Sequence, residues 1–195
     1  MKSSILVLGL ALSAWQVGAG APQEKQEPQA KPQVYDEAAD ARADLTTALA
    51  RAHKENKRVL VQWGANWCGW CVKLHELCKS DAQLALKIRY EYEVVRVDVG
   101  RFDKNLELAA ELGANFKDSG VPFLTVLDAA GKPLVQQETG SLEVAGEARH
   151  DPAKVLDFLT RHQAPYLEAQ KVYDAALKQA QAENKRLFVH VGAPW

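Results

Sequence analysis

The sequence predicts an α/β fold, a central mixed β-sheet flanked by helices and entered through a long N-terminal helix. Three observations predict it. Apolar runs alternate with helical periodicity in the order strand, helix, strand, followed after a short helix by strand, strand, helix. A Cys-x-x-Cys, Trp67-Cys68-Gly69-Trp70-Cys71, stands where the first apolar run gives way to a helical pattern. Gly120-Val121-Pro122 then opens a later apolar strand.

Taken in order, a helix over 37–55 places Leu45, Ala48, Leu49 and Ala52 at helical spacing, and Lys54-Glu55-Asn56-Lys57 closes it. Val59-Leu60-Val61-Gln62-Trp63 is the first strand. A helix over 71–88, a strand over 93–99 and a short helix over 105–112 follow, then a loop over 113–120 and a strand over 123–127. Asp128-Ala129-Ala130-Gly131-Lys132 turns the chain into a strand over 134–138. Asp151 as N-cap and Pro152 at the first helical position begin a helix over 152–162.

The folded unit, 35–163, has flanks of a different kind. Met1-Lys2-Ser3-Ser4, an apolar stretch over 5–12 and the small residues Gly18, Ala19 and Gly20 read as a signal peptide over 1–19 cut near Ala19, with an uncleaved anchor as the alternative. That reading places the protein in the periplasm or outside the cell. Residues 20–34, rich in Pro, Gln, Glu and Lys, form a disordered tether. Residues 164–195 begin a second, truncated repeat: the stretch 48–67 is echoed by 176–195 at a constant offset of 128, with about half the positions identical. The echo stops at Trp195, opposite Trp67, one residue before the counterpart of Cys68. Either the sequence is a piece of a two-domain protein whose gene continues with a second Cys-x-x-Cys, which we expect, or a truncated unit docks on the first domain.

With 195 residues, 47% of them hydrophobic, and a formal net charge of -1, the chain has a substantial core and no electrostatic case for nucleic acid or an anionic membrane. Three cysteines, two of them close together, suit redox chemistry in an oxidising compartment better than a stapled framework. A Cys-x-x-Cys at a helix start points free N–H groups and the positive helix end at the first sulfur, which favours the thiolate; the second sulfur can resolve a mixed disulfide. A structural disulfide or a zinc site are the alternatives. Zinc would need Cys68, Cys71, His75 and Cys78 along one helix, where their directions diverge. Covalent haem is excluded because Val72, not His, follows Cys71. Cys78, seven residues after Cys71 on the same helical face, is too far for a disulfide with it and reads as a packed apolar residue. His75 reads as a solvated helix residue.

Together these residues resemble the thioredoxin superfamily over 35–162, and within it exported bacterial thioredoxin-like proteins whose long N-terminal helix ends in Glu-Asn-Lys. The resemblance rests on Gly64-Ala65-Asn66-Trp67-Cys68-Gly69-Trp70-Cys71, Val97-Asp98-Val99, Gly120-Val121-Pro122-Phe123 and the Gly131-Lys132 turn. It implies a thiol–disulfide oxidoreductase, with Cys68 the exposed attacking thiol and Cys71 the resolving thiol. It also implies that Pro122 is a cis-proline facing the disulfide and that Val121 pairs with an extended substrate; a trans proline opening an edge strand is the plain alternative. Trp67, Gly69 and Trp70 form the rim on which substrate docks.

At the position six residues before the first cysteine the family commonly has a buried acid, and here Gln62 stands there. An amide takes no proton at neutral pH. No metal or organic cofactor is implied beyond the Cys68–Cys71 pair. Electrons come from a thiol-bearing partner protein, since no Gly-rich nucleotide fingerprint occurs, and the substrates are protein disulfides or dithiols. A redox-inactive binding or chaperone module and a metal-handling dithiol are the rival readings.

Gly69-Trp70 puts no positive charge between the cysteines, so the couple is expected to be moderately reducing, near about −250 mV. Equilibration with glutathione buffers measures this, and a potential above about −150 mV would contradict it.

Overall fold

The computed structural model describes residues 33–116 and 118–191. The signal peptide expected over 1–19, nearly all of the tether over 20–34 and the end of the repeat echo at 192–195 lie outside the described residues. Strands β1 (Arg58–Gly64), β2 (Tyr92–Asp98), β3 (Phe123–Leu127) and β4 (Pro133–Glu138) form one sheet in the order β2-β1-β3-β4. Strand β2 runs parallel to β1, whereas β3 is antiparallel to β1 and β4 antiparallel to β3. This is the mixed, helix-flanked sheet that the alternation of patterns predicts.

Because side chains alternate across a strand, β1 feeds two cores. Val59, Val61 and Trp63 point to the face covered by α1 (Ala41–Glu55) and α4 (Leu106–Glu111), with Ala48, Ala52 and Leu108 against them. Leu60 points to the other face, where Leu74 of α2 (Gly69–Ser80), Leu84 of α3 (Ala82–Glu91) and Phe158 of α5 (Pro152–His162) meet it. Each such fully buried side chain contributes on the order of 1.5–3 kcal/mol. The face-two positions at the C-terminal end of the sheet are not apolar: in register, Gln62 lies opposite Arg96 and Gly64 opposite Asp98.

Several boundaries differ from the sequence reading. The single helix expected over 71–88 is two, because the Asp81 carboxylate accepts from the amides of Gln83 and Leu84 at 3.0 Å each and starts α3, while the Asp81 amide closes α2 on the Leu77 carbonyl. An N-cap side chain outweighs helix propensity at that residue. The first helix begins at Ala41 rather than 37, capped by Asp40 on the amides of Arg42 and Ala43. The Val34 amide is already tied to the domain, so the folded unit begins inside the expected tether.

After α5 the chain docks Ala164 in a buried position, with the Pro165 carbonyl accepting from Asn56, and then forms α6 (Ala169–Ala182). Residues 187–191, the counterparts of 59–63 in the echo of β1, form no strand. Phe188 is 88% and Val191 89% exposed, whereas their counterparts Leu60 and Trp63 are buried between neighbouring strands. Among the described residues nothing pairs with this segment, and an unpaired extended segment holds no ladder. Among the described residues no helix is long and apolar enough to cross a membrane.

Replacing Asp81 by Ala removes the cap of α3 and is expected to lower stability by about 1 kcal/mol in equilibrium urea unfolding, with the slope unchanged.

Candidate active site

Strand β1 ends at Gly64, and residues 65–68 carry the chain into α2. The Cys68 amide donates to the Ala65 carbonyl at 3.1 Å, which tightens that turn. Cys68 is the N-cap of α2, and its Sγ accepts from the Cys71 amide at 3.1 Å. No acidic residue occupies the first turn of α2, so nothing there offsets the positive helix end. Cys68 and Cys71 are joined in a disulfide with Cα atoms 5.3 Å apart. The first sulfur thus sits where a thiolate gains both an amide donor and the helix field.

The structure departs from the exposure that the resemblance implies for Cys68. Cys68 is only 5% exposed and Cys71 2%, with Val34, Trp70 and Val121 packed around them. Their environments differ in kind instead: Cys68 Sγ faces the Val121 carbonyl at 3.3 Å, and Cys71 faces the interior. The Val121–Pro122 peptide is cis. The Pro122 carbonyl accepts a buried hydrogen bond from the Thr139 hydroxyl at 2.8 Å, which ties this loop to the end of β4.

The rim residues diverge. Trp67 is 44% exposed, stacks edge-on against Phe102 at 5.8 Å, and donates from Nε1 to the Gly100 carbonyl at 2.6 Å. A mixed-charge groove of ≈ 420 Å³ flanks it, lined in part by Glu37, Asp98, Arg101 and Lys104. Trp70 is half-buried against His150 at 5.2 Å, with the Lys73 ammonium 4.8 Å from its ring centre. Gly69 is exposed, and a Cβ there would meet nothing.

Behind Cys71 lies a polar layer. Gln62 and Asp98 are buried, and Lys104 pairs with the Asp98 carboxylate at 3.1 Å. The Nε of Arg96 and Nδ1 of His75 are buried without hydrogen bonds. Burial, then the Arg96 charge, lower the His75 pKa, so His75 is not the freely solvated residue expected from its helical position. Cys78 is a free, partly buried thiol on the second core, and burial pushes its pKa up to about 12. Among the described residues no three His, Cys, Asp or Glu side chains converge as metal ligands.

Sequence reasoning missed three residues. Asn66 clamps the segment before α1: its Oδ1 accepts from the Val34 and Tyr35 amides at 2.9 Å each, and its Nδ2 donates to the Tyr35 carbonyl at 2.8 Å. Tyr35 so held packs on Cys68 and Cys71. His150 is buried beneath Trp70 with neither ring nitrogen hydrogen-bonded, and burial, with Lys73 second, lowers its pKa. Nothing in composition or periodicity marks any of the three.

A family model described as thioredoxin-like matches residues 40–129. A crystal structure described as a disulphide isomerase from Xylella fastidiosa aligns over 68% of this chain and 98% of that one, with 32% identity and a TM-score of 0.59. The chain belongs to the thioredoxin superfamily. A curated relative, the disulfide bond reductase DsbH of Chlamydia pneumoniae, is 26% identical over 94 residues, which is 46% of this chain and 57% of that protein. The chain therefore matches little more than half of that relative's length.

The Cys78 thiol gives this thioredoxin-like domain a pH signature. Its pKa rises from 9.0 in the unfolded chain to about 12 when folded, so between those values the unfolded state has lost a proton that the folded state keeps. Stability contributed by the neutral thiol is full below pH 9.0 and declines as pH rises toward 12. Cys78→Ala is expected to flatten that part of the stability–pH profile, measured by urea unfolding in steps above pH 9.

Proposed function

We propose that this thioredoxin-superfamily oxidoreductase exchanges disulfides with protein substrates through Cys68 and Cys71. The observation that carries the reading is the disulfide itself, with Cys68 as N-cap of α2 and the Val121–Pro122 loop 3.3 Å from its sulfur. In the reducing direction the Cys68 thiolate attacks one sulfur of the substrate disulfide, and the other leaves as a thiolate. Cys71 gives up its proton to solvent and attacks Cys68 Sγ, forming the Cys68–Cys71 disulfide and releasing the second substrate thiolate. Two electrons pass to the substrate, and the released thiolates take up protons. The reverse sequence oxidises a dithiol.

Substrate backbone lies along Val121 and Pro122, with Trp67, Gly69 and Trp70 as the contact rim. The family membership and the reductase and isomerase descriptions of the two relatives support this reading. A thiol-bearing partner protein re-reduces the pair, no metal or organic cofactor takes part, and the charged and apolar start of the sequence supports export to the periplasm or beyond.

Insulin reduction with dithiothreitol tests the proposal. Native protein is expected to shorten the lag, Cys68→Ser to match the uncatalysed rate, and Cys71→Ser to accumulate a mixed disulfide visible by mass spectrometry. A Cys68→Ser protein as active as native would refute the assignment.

A further inference from the structure

The resolving sulfur has a neighbour that the sequence pattern does not reveal. A Cβ built on Gly64 would lie 2.3 Å from the Tyr35 hydroxyl oxygen and 2.8 Å from Cys71 Sγ. Those two atoms therefore share the space that a side chain at residue 64 would fill, and cannot be farther apart than the two distances laid end to end. Tyr35 is 2% exposed and packs with Cys68 and Cys71 in one buried cluster. It does not arrive there by loose packing, because the Asn66 amide holds the Tyr35 backbone at both its N–H and its carbonyl.

We propose that Tyr35 is the hydrogen-bond donor that receives Cys71 Sγ whenever this sulfur is released as a thiolate, the task that a buried acid on β1 cannot perform here because Gln62 occupies that place. The inference rests on the exchange reading above. When an external thiolate attacks Cys68 Sγ, the Sγ–Sγ bond breaks, its electron pair passes to Cys71 Sγ, and a negative charge appears in a site with almost no access to water. An unpaired buried anion is costly, and one charge-assisted hydrogen bond offsets much of that cost. In the opposite direction the same bond favours loss of the Cys71 proton to solvent before this sulfur attacks the mixed disulfide.

A phenol suits the task because it must donate without ionising. Burial, the largest influence, raises the Tyr35 pKa well above the ordinary phenol value, so the hydroxyl keeps its proton and does not act as a base toward Cys71. The other charged or titratable groups around it are Arg96 and Asp98 of β2 and Cys78 of α2; Lys104 pairs with Asp98, and Arg96 also acts on His75 of α2. Arg96 favours anions in this layer and Asp98 opposes them. Tyr35 brings a neutral donor toward the sulfur through the gap at Gly64.

Tyr35→Phe keeps the ring and removes the donor. On a Cys68→Ser background, thiolate absorbance against pH reads Cys71, with Cys78 far higher, and Tyr35→Phe is expected to raise the Cys71 midpoint by about one pH unit, the tenfold effect of one hydrogen bond to a charged group. With both cysteines present, resolution of a preformed mixed disulfide is expected to slow about tenfold at pH 7, while the alkylation rate of Cys68 stays as in native protein. An unchanged midpoint would overturn the proposal. Should near-UV circular dichroism show Tyr35→Phe unfolded, Asn66→Ala, which keeps the hydroxyl but frees the segment carrying it, decides by the same titration: a rise supports the proposal and no rise refutes it. Failure of native protein to reduce insulin would instead count against the exchange reading, and the titration would still report on Tyr35.

Discussion

The close approach at Gly64 is the steric constraint on which the site depends. Strand, helix and N-terminal segment converge there because one residue lacks a Cβ: any side chain would displace the Tyr35 ring or Cys71 Sγ. The φ of Gly64 is not in the left-handed region, so glycine is required for room and not for backbone freedom. From this point outward the geometry follows. The strand can end close beneath the helix, the helix can begin at Cys68, and the two sulfurs can come within bonding distance just past the C-terminal end of β1.

The two cysteines are distinguished by what surrounds them more than by how much solvent they meet. One faces an amide, a helix terminus and the carbonyl of the proline loop; the other lies beside a phenol at Gly64, the residue that pairs with Asp98 across the sheet. Both environments answer the same electrostatic problem, a negative sulfur away from water, with different donors. Lys73, lying over Trp70, brings a cation near the motif that counting the two residues between the cysteines overlooks.

Much of this architecture is legible in the residues. The strand over 123–127 and the helix over 152–162 are found where the apolar run and the Asp151-Pro152 signal place them, since local chemistry and tertiary packing agree there. The helix break at Asp81 is not visible in periodicity, because a single carboxylate reaching two amides outweighs a pattern that runs through it. Residues 187–191 repeat the pattern of β1 and form no strand for the opposite reason: the pattern is there, but a strand is a property of pairs. The contact of Asn66 with Tyr35 spans 31 residues and joins a side-chain amide to backbone. Spacing rules read neighbours along the chain and are blind to such contacts.

A row of polar side chains crosses the sheet beneath the proline loop. Trp63 Nε1 of β1 donates to Thr125 Oγ1 of β3 at 3.0 Å, that hydroxyl donates to Gln136 Oε1 of β4 at 2.6 Å, and Gln136 Nε2 donates to the Leu112 carbonyl at 2.7 Å. Thr139, just beyond β4, then holds the Pro122 carbonyl. The proline loop and the strands beside it are therefore held by crossbars that include neither sulfur of the pair at the start of α2, so opening the bond between the sulfurs breaks none of them. The gap offered to an incoming chain is a dimension of the scaffold, as the width of a doorway is fixed by its lintel and not by the latch.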